Sequence, residues 1–254
     1  MKQSSTKMNC ELKKLAAQYE NAEFINGDPS WFMHQVTGDS NRETTAFVAS
    51  CLSYGSRKQF MPKIQLLLDH ARGDMYNWVL GGDFERLLRD DDDSCFYRLY
   101  TCRMMNGMLR ALQQMLRDHG SMGAWLRTMG CTDCLSAVTA ITAYFAENDR
   151  VGGIVPKNTN SACKRVCMFL RWMVRDNSPV DLGLWSGFID RRTLIIPMDT
   201  HVLQQSVRLG LMTSKTASMS AAIKLSDKLR EYFPDDPMKG DFALFGYGVS
   251  QSLK

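Results

Sequence analysis

A chain of 254 residues, 44% of them apolar, is long enough for one large domain or for two small lobes around a shared core. No run approaches the ~20 apolar residues of a membrane-spanning helix, and the polar stretch from Met1 to Lys14 lacks the apolar segment of a secretory signal, so a cytoplasmic protein without a membrane partner is expected. The formal net charge of +4 is too small to demand a polyanionic partner, but it permits a local basic face, whose position matters more than the total.

In chain order the pattern is helical almost throughout. Lys7 to Asn21 reads as a helix, and Asp28-Pro29 is a cap followed by proline at the first helical position, opening a short helix through Gln35. Thr44 to Tyr54 is apolar or small on all sides (Ala46, Phe47, Val48, Ala49, Cys51, Leu52), as expected of a buried central helix. Amphipathic helices are expected over Lys58 to Ala71, Phe96 to Arg117 and Thr132 to Glu147. Gly152 to Asn160 is a turn-rich connection, Ser161 to Arg175 a strong helix, and Asp176 to Pro197 an irregular stretch. Helix resumes after Asp199, around Ala221 to Tyr232, and around Gly240 to Gly246. Leu194-Ile195-Ile196 is too short to read as a strand, so the class is all-α.

The eight cysteines read as reduced thiols in a cytosolic chain rather than as a disulfide framework. Cys131-Thr132-Asp133-Cys134 has the spacing of a redox pair or half a zinc site. No second CxxC or histidine pair completes a zinc site and no βαβ pattern flanks it, so a structural role is the simpler reading. Cys163 and Cys167 lie four apart on the helix from Ser161, where the same reading applies.

Two segments carry candidate chemistry. On Ser161 to Arg175, Val166, Phe169, Leu170, Met173 and Val174 fall on one side and Lys164, Arg171 and Arg175 on the other. A tight turn, a helix N-terminus and a basic row suit a phosphate backbone; a solvated charged face is the plainer alternative. Downstream, Asp199 follows an apolar run and Pro197 and precedes a helix. It can cap that helix through backbone N–H groups, or project a carboxylate into a cleft.

The run Ile196-Pro197-Met198-Asp199-Thr200-His201-Val202, with Arg208-Leu209-Gly210 behind it, resembles the aspartate segment of the helix-hairpin-helix DNA glycosylases, the endonuclease III superfamily. Lys164, in Ser161-Ala162-Cys163-Lys164-Arg165, stands where the bifunctional members carry their lysine. The Lys-to-Asp gap containing Asp181-Leu182-Gly183-Leu184-Trp185 is similar to the archaeal 8-oxoguanine glycosylase/lyase branch. The whole chain resembles an uncharacterised bacterial family near that branch, through Lys164-Arg165 with Phe169-Leu170-Arg171-Trp172-Met173, and Asp236-Pro237 with Asp241-Phe242-Ala243-Leu244-Phe245. The resemblance is specific from Pro156 to Gly248. In the N-terminal half, Ala49-Ser50-Cys51-Leu52-Ser53-Tyr54 resembles the buried helix that leads to the base-intercalating loop. Two departures stand out. Lys157 to Ser161 has no glycine, where Asn158 and Asn160 could adopt positive φ at modest cost. No cysteine follows Cys167, which argues against the superfamily's iron–sulfur loop.

The resemblance implies a two-lobed helical fold within one domain, 1–254, with lobes 1–55 plus 200–254 and 56–199. It implies a monomer that acts on double-stranded DNA containing a damaged base of the oxidised-purine, 8-oxoguanine-like kind. Lys164 is the expected nucleophile and Asp199 the assisting carboxylate, with no metal or other cofactor. Asp241, Phe245 and Tyr54 are expected to meet the base, although Phe245 reads equally as core packing. Lys157, Asn158, Asn160, Arg165 and Arg171 are expected at the DNA backbone. The chemistry suits these residue types: a carboxylate stabilises an oxocarbenium-like sugar, a lysine attacks only when neutral, a state that partial burial and a cation such as Arg165 favour, and the base is flipped out of the stack first. The competing readings are a non-catalytic DNA-binding or damage-sensing module, and a helical scaffold or thiol protein using Cys131 and Cys134.

Overall fold

The computed structural model describes residues 2–147, 151–214 and 216–252, with side chains described from residue 7 to residue 248 within those limits. The described residues form α1 (Lys2–Tyr19), α2 (Trp31–His34), α3 (Asp39–Leu52), α4 (Arg57–His70), α5 (Met75–Gly81), β1 (Cys95–Tyr97), β2 (Tyr100–Thr101), α6 (Cys102–His119), α7 (Met122–Thr128), α8 (Cys134–Ala146), α9 (Lys164–Val174), α10 (Thr200–Arg208), α11 (Met219–Arg230) and α12 (Lys239–Ser252). The protein is predominantly helical, as its periodicity predicts, with β1 and β2 as a small antiparallel β-hairpin.

The chain divides into two compact units. One comprises Met1–Asn26, Asp133–Leu135 and Thr159–Lys254; the other comprises Gly27–Thr132 and Ser136–Asn158. This differs from the lobes expected from the sequence, because residues 27–55 group with the second unit and residues 159–199 with the first. The reason is packing. α3 lies on α2, α4 and α5 within the second unit, whereas α1 lies along α12 in the first. That last contact is close: a Cβ at Gly246 of α12 would fall 2.2 Å from the ring of Tyr19.

In the second unit α3 is the central helix its composition predicts, buried at every position from Glu43 to Leu52. Phe47 stacks on Phe145 of α8 with centroids 5.2 Å apart. The buried acid Glu43 accepts the backbone N–H groups of Met122 at 2.7 Å and Gly123 at 3.0 Å. It thereby satisfies the otherwise orphaned donors of the first turn of α7, where a helix dipole also favours negative charge.

One expected helix starts late. The amphipathic segment predicted from Phe96 begins at Cys102, where the Thr101 side chain caps it by accepting the Met104 N–H. Residues 95–101 form the β-hairpin instead, with Cys95 opposite Thr101 and Tyr97 opposite Tyr100. Aromatic residues at Phe96, Tyr97 and Tyr100 suit a strand pair. α5 and α7, seven residues each, are too short for periodicity to reveal.

Glu43→Ala is expected to lower unfolding free energy by about 2 kcal/mol, the usual worth of buried hydrogen bonds to a charged group. Glu43→Gln, which keeps the shape and one acceptor, should lose less. Denaturant titrations with unchanged slopes would measure both; equal stability of all three proteins would show that the N-terminus of α7 does not depend on this carboxylate.

Candidate active site

The site is built on α9 of the first unit. Residues 156–163 are turns and extended backbone, and α9 starts at Lys164. The positive φ that Asn158 or Asn160 could adopt occurs instead at Cys163, with φ of 45°. A non-glycine residue there costs about 1–2 kcal/mol. Cys163 is buried and stands at the N-cap of α9, immediately before Lys164. Burial pushes the Cys163 thiol above its ordinary value. Ser161, just upstream, bridges to Ser218, whose side chain caps α11.

Lys164 Nζ lies 2.7 Å from Asp199 Oδ2. The other carboxylate oxygen of Asp199, Oδ1, accepts the Val202 N–H at 2.8 Å and caps α10. The capping reading of this aspartate therefore holds, and its second oxygen meets the lysine. The Lys164 and Asp199 side chains are 38% and 37% exposed, so the pair is reachable from solvent. Burial pushes the Asp199 carboxyl up. The Lys164 charge and hydrogen bond, with the Val202 and His201 N–H groups, outweigh it and hold the carboxyl below the ordinary carboxylate value. The partner of Lys164 is thus an anion, where the sequence suggested a neighbouring cation.

The basic row is not a solvated face, and Arg171 is corrected as a candidate DNA contact. Its guanidinium is buried, with Nη1 2.5 Å from Asp241 Oδ2 and Nε 3.3 Å from Asp181 Oδ1. Arg175 is also buried and binds Asp181, Asp236 at 2.7 Å and Glu20 at 2.5 Å. Burial opposes the Arg175 charge, but Asp181, Asp236 and Glu20 outweigh it and its pKa lies above the ordinary guanidinium value. Both guanidinium groups also lie over the Phe242 ring, at 4.9 Å for Arg171 and 5.3 Å for Arg175. The arginines are drawn inward because four carboxylates from distant segments meet them, and a buried charge persists only when paired. Lys164 and Arg165, both half-buried, reach the surface.

Asp241 is therefore not an idle carboxylate. Burial raises it above its ordinary value, Arg171 opposes that shift, and the charges of Asp199 and Lys164 lie within its electrostatic reach. Phe245, one turn on along α12, meets Tyr19 and Phe24 edge-on at 5.8 and 5.1 Å. That is core packing, with part of the ring still accessible. The structure thus groups Lys164, Asp199, Arg171 and Asp241 in the first unit, where Asn160 is exposed. Tyr54 and the exposed Lys157 and Asn158 belong to the second unit. Tyr54 lies among Tyr97, Tyr100 and Arg98.

Sequence reasoning misses Asp181, Asp236 and Glu20 as partners of the arginines. Asp181 and Asp236 stood in the family-like strings, but nothing in their spacing announced whom they meet. Cys131 and Cys134 are buried and outside any disulfide. Cys167, next to Lys164 on α9, is raised well above its ordinary value by a hydrogen bond with Cys134 and by burial. Buried thiols of this kind are chemically inert, which favours the structural role over a redox pair.

Because Asn caps a helix as well as Asp, Asp199→Asn isolates the charge. The folded carboxyl lies below its unfolded value, so its contribution is fully present above the unfolded pKa and is lost as pH falls through the folded one. Wild type should melt above Asp199→Asn at neutral pH, and the gap should close in acid below the ordinary carboxylate range. A gap that widens on acidification would contradict the ion pair.

A family model described as "Protein of unknown function (DUF2400)" matches residues 28–250. No curated protein and no solved structure matches the chain. With most of its length matched, the chain belongs to the DUF2400 family.

Proposed function

We propose that the protein is a DNA base-excision glycosylase with AP-lyase activity, acting on an oxidised purine of the 8-oxoguanine kind. The proposal includes the two-lobed helix-hairpin-helix fold implied by the resemblance. The observation that carries it is the Lys164–Asp199 pair: an amine and an oriented, anionic carboxylate 2.7 Å apart, open to solvent, at the starts of two helices.

This pair has the composition the reaction requires. The Lys164 ammonium first gives a proton to solvent, because only the neutral amine attacks; its nitrogen then bonds to the anomeric carbon of the deoxyribose as the bond from that carbon to the base breaks. The amine proton leaves to the departing base. Asp199 opposes the positive charge that develops on the sugar, an electrostatic role suited to a carboxylate already held ionised. Ring opening converts the adduct to a Schiff base, which acidifies the neighbouring carbon and allows β-elimination of the 3′ phosphate. Asp241, Phe245 and Tyr54 are the base-facing residues in this reading. For Asp241 the base must compete with Arg171. Lys157, Asn158, Asn160 and Arg165 are the backbone-facing ones.

Borohydride should trap wild-type protein on an abasic or 8-oxoguanine-bearing strand and should fail to trap Lys164→Gln. Asp199→Asn should lower base release by on the order of 10²-fold while duplex binding persists. A wild type that releases no base and forms no adduct across a panel of lesions would refute the reading and leave a non-catalytic DNA-binding protein. Lys157→Ala and Arg165→Ala should each reduce the slope of log K against log salt by about one; an unchanged slope removes that residue from the interface.

A further inference from the structure

Phe245 is half-buried on α12, four residues after Asp241 and so on the same helix face. Its neighbour Phe242 is 1% exposed, as a core ring should be. Phe245 differs, because it is ordered from several sides and yet keeps part of its ring open to solvent.

That order comes from the other end of the chain. Leu12 and Ala16 bury one face of α1, which lies along α12. Beyond them Tyr19 meets the Phe245 ring at 5.8 Å with 77° between the planes, and Phe24 meets it at 5.1 Å and 74°. Both of these rings are half-buried as well. Glu20, next to Tyr19, pairs with the buried Arg175 and so ties the end of α1 to α9. The Asn21 side chain accepts the Phe24 N–H at 3.1 Å and caps the 3₁₀ turn Ala22–Ile25. Phe24 also meets Phe242 at 4.9 Å. Gly246 leaves the space that Tyr19 fills, since a Cβ there would fall 2.2 Å from its ring.

We infer that Tyr19 and Phe24 are positioning residues for base recognition, holding Phe245 at the tilt in which its open part meets a planar purine. The inference rests on the DNA reading above, which uses Phe245 and Asp241 but neither Tyr19 nor Phe24. The resemblance, specific from Pro156 to Gly248, does not reach them. The class of ligand follows from the chemistry of the cluster. Aromatic rings set edge-on to one another have preferred tilts, and a ring fixed beforehand loses no freedom when a flat partner stacks on it. A nucleobase is such a partner. Asp241, on the same face of α12 and held by Arg171, supplies the polar contact beside it. An abasic sugar offers Phe245 nothing to stack on, so it gains nothing from the tilt.

The test uses the full chain and two duplexes that differ at one nucleotide, 8-oxoguanine in one and a tetrahydrofuran abasic analogue in the other. Binding is measured in the Lys164→Gln background, so that no turnover intervenes. The preference for 8-oxoguanine over the analogue is expected to fall on the order of tenfold in Tyr19→Ala and in Phe24→Ala. Tyr19→Leu, which fills the space without a ring, should fall likewise, and Tyr19→Phe should keep the preference. Gly246→Ala, which retains every ring and displaces Tyr19, should lose it. Affinity for the tetrahydrofuran duplex should stay unchanged throughout. A merely structural role would lower both affinities together or leave both intact, and either result overturns the inference. Borohydride trapping of the proteins that retain Lys164, on a natural abasic site, separates the two claims. Trapping with the preference intact in Tyr19→Ala and Phe24→Ala refutes the positioning role alone. A ring-dependent preference without trapping supports the positioning role and refutes the lyase. A protein that binds both duplexes equally, or neither, refutes the positioning role.

Discussion

The first unit depends on a buried meeting of two arginines with four carboxylates. Arg171 and Arg175 project from the C-terminal half of α9, and Glu20, Asp181, Asp236 and Asp241 come to them from four separate segments. Such a network is not by itself a large source of stability, because desolvating the charges offsets much of their attraction. Its consequence is geometric. Each carboxylate meets its cation on α9, so the end of α1, the loop after α9, the segment before α12 and α12 itself are all referred to one helix. Removing either arginine leaves buried carboxylates short of their cation, typically at a cost of about 3–5 kcal/mol.

The same helix presents Lys164 to solvent two turns away from Arg171. One row of cations thus has two fates, decided by depth. Toward its C-terminal end the row runs under α12 and acquires carboxylates; at its N-terminal end it meets Asp199, whose second oxygen is already committed to capping α10. A capped carboxylate cannot rotate freely, so only the lysine side chain has to be ordered to form the pair. That distinguishes this ion pair from an ordinary surface pair, where the entropy of holding two long side chains consumes most of the gain.

Asp241 joins the two regions. It shares Arg171 with Asp181 and feels the charges of Lys164 and Asp199. A change at the exposed pair is therefore felt at a carboxylate that burial already biases toward its protonated form. In the second unit the equivalent economy is found at Tyr54, whose carbonyl, hydroxyl and ring all serve one turn of the β-hairpin.

Local pattern determined a good deal. The buried α3, the amphipathic α4 and α9, and the capping position of Asp199 follow from residue order, because periodicity and caps act over one or two turns; the short helix expected from Pro29 starts instead at Trp31, without a side-chain cap. Lys164 and Asp199 were legible as a pair only through resemblance, since 35 residues separate them. Three features belonged to tertiary structure alone. Arg171 and Arg175 read as solvated charges because helical periodicity records which side a residue faces and not what faces it. The β-hairpin at Cys95 to Thr101 lay inside a helical pattern, and it forms because Tyr54 and Gly55 offer its turn a docking surface that no short window contains. The positive φ fell on Cys163 rather than on an asparagine. Where burial of a side chain and the direction of the following helix must be satisfied together, local preference is the weaker constraint.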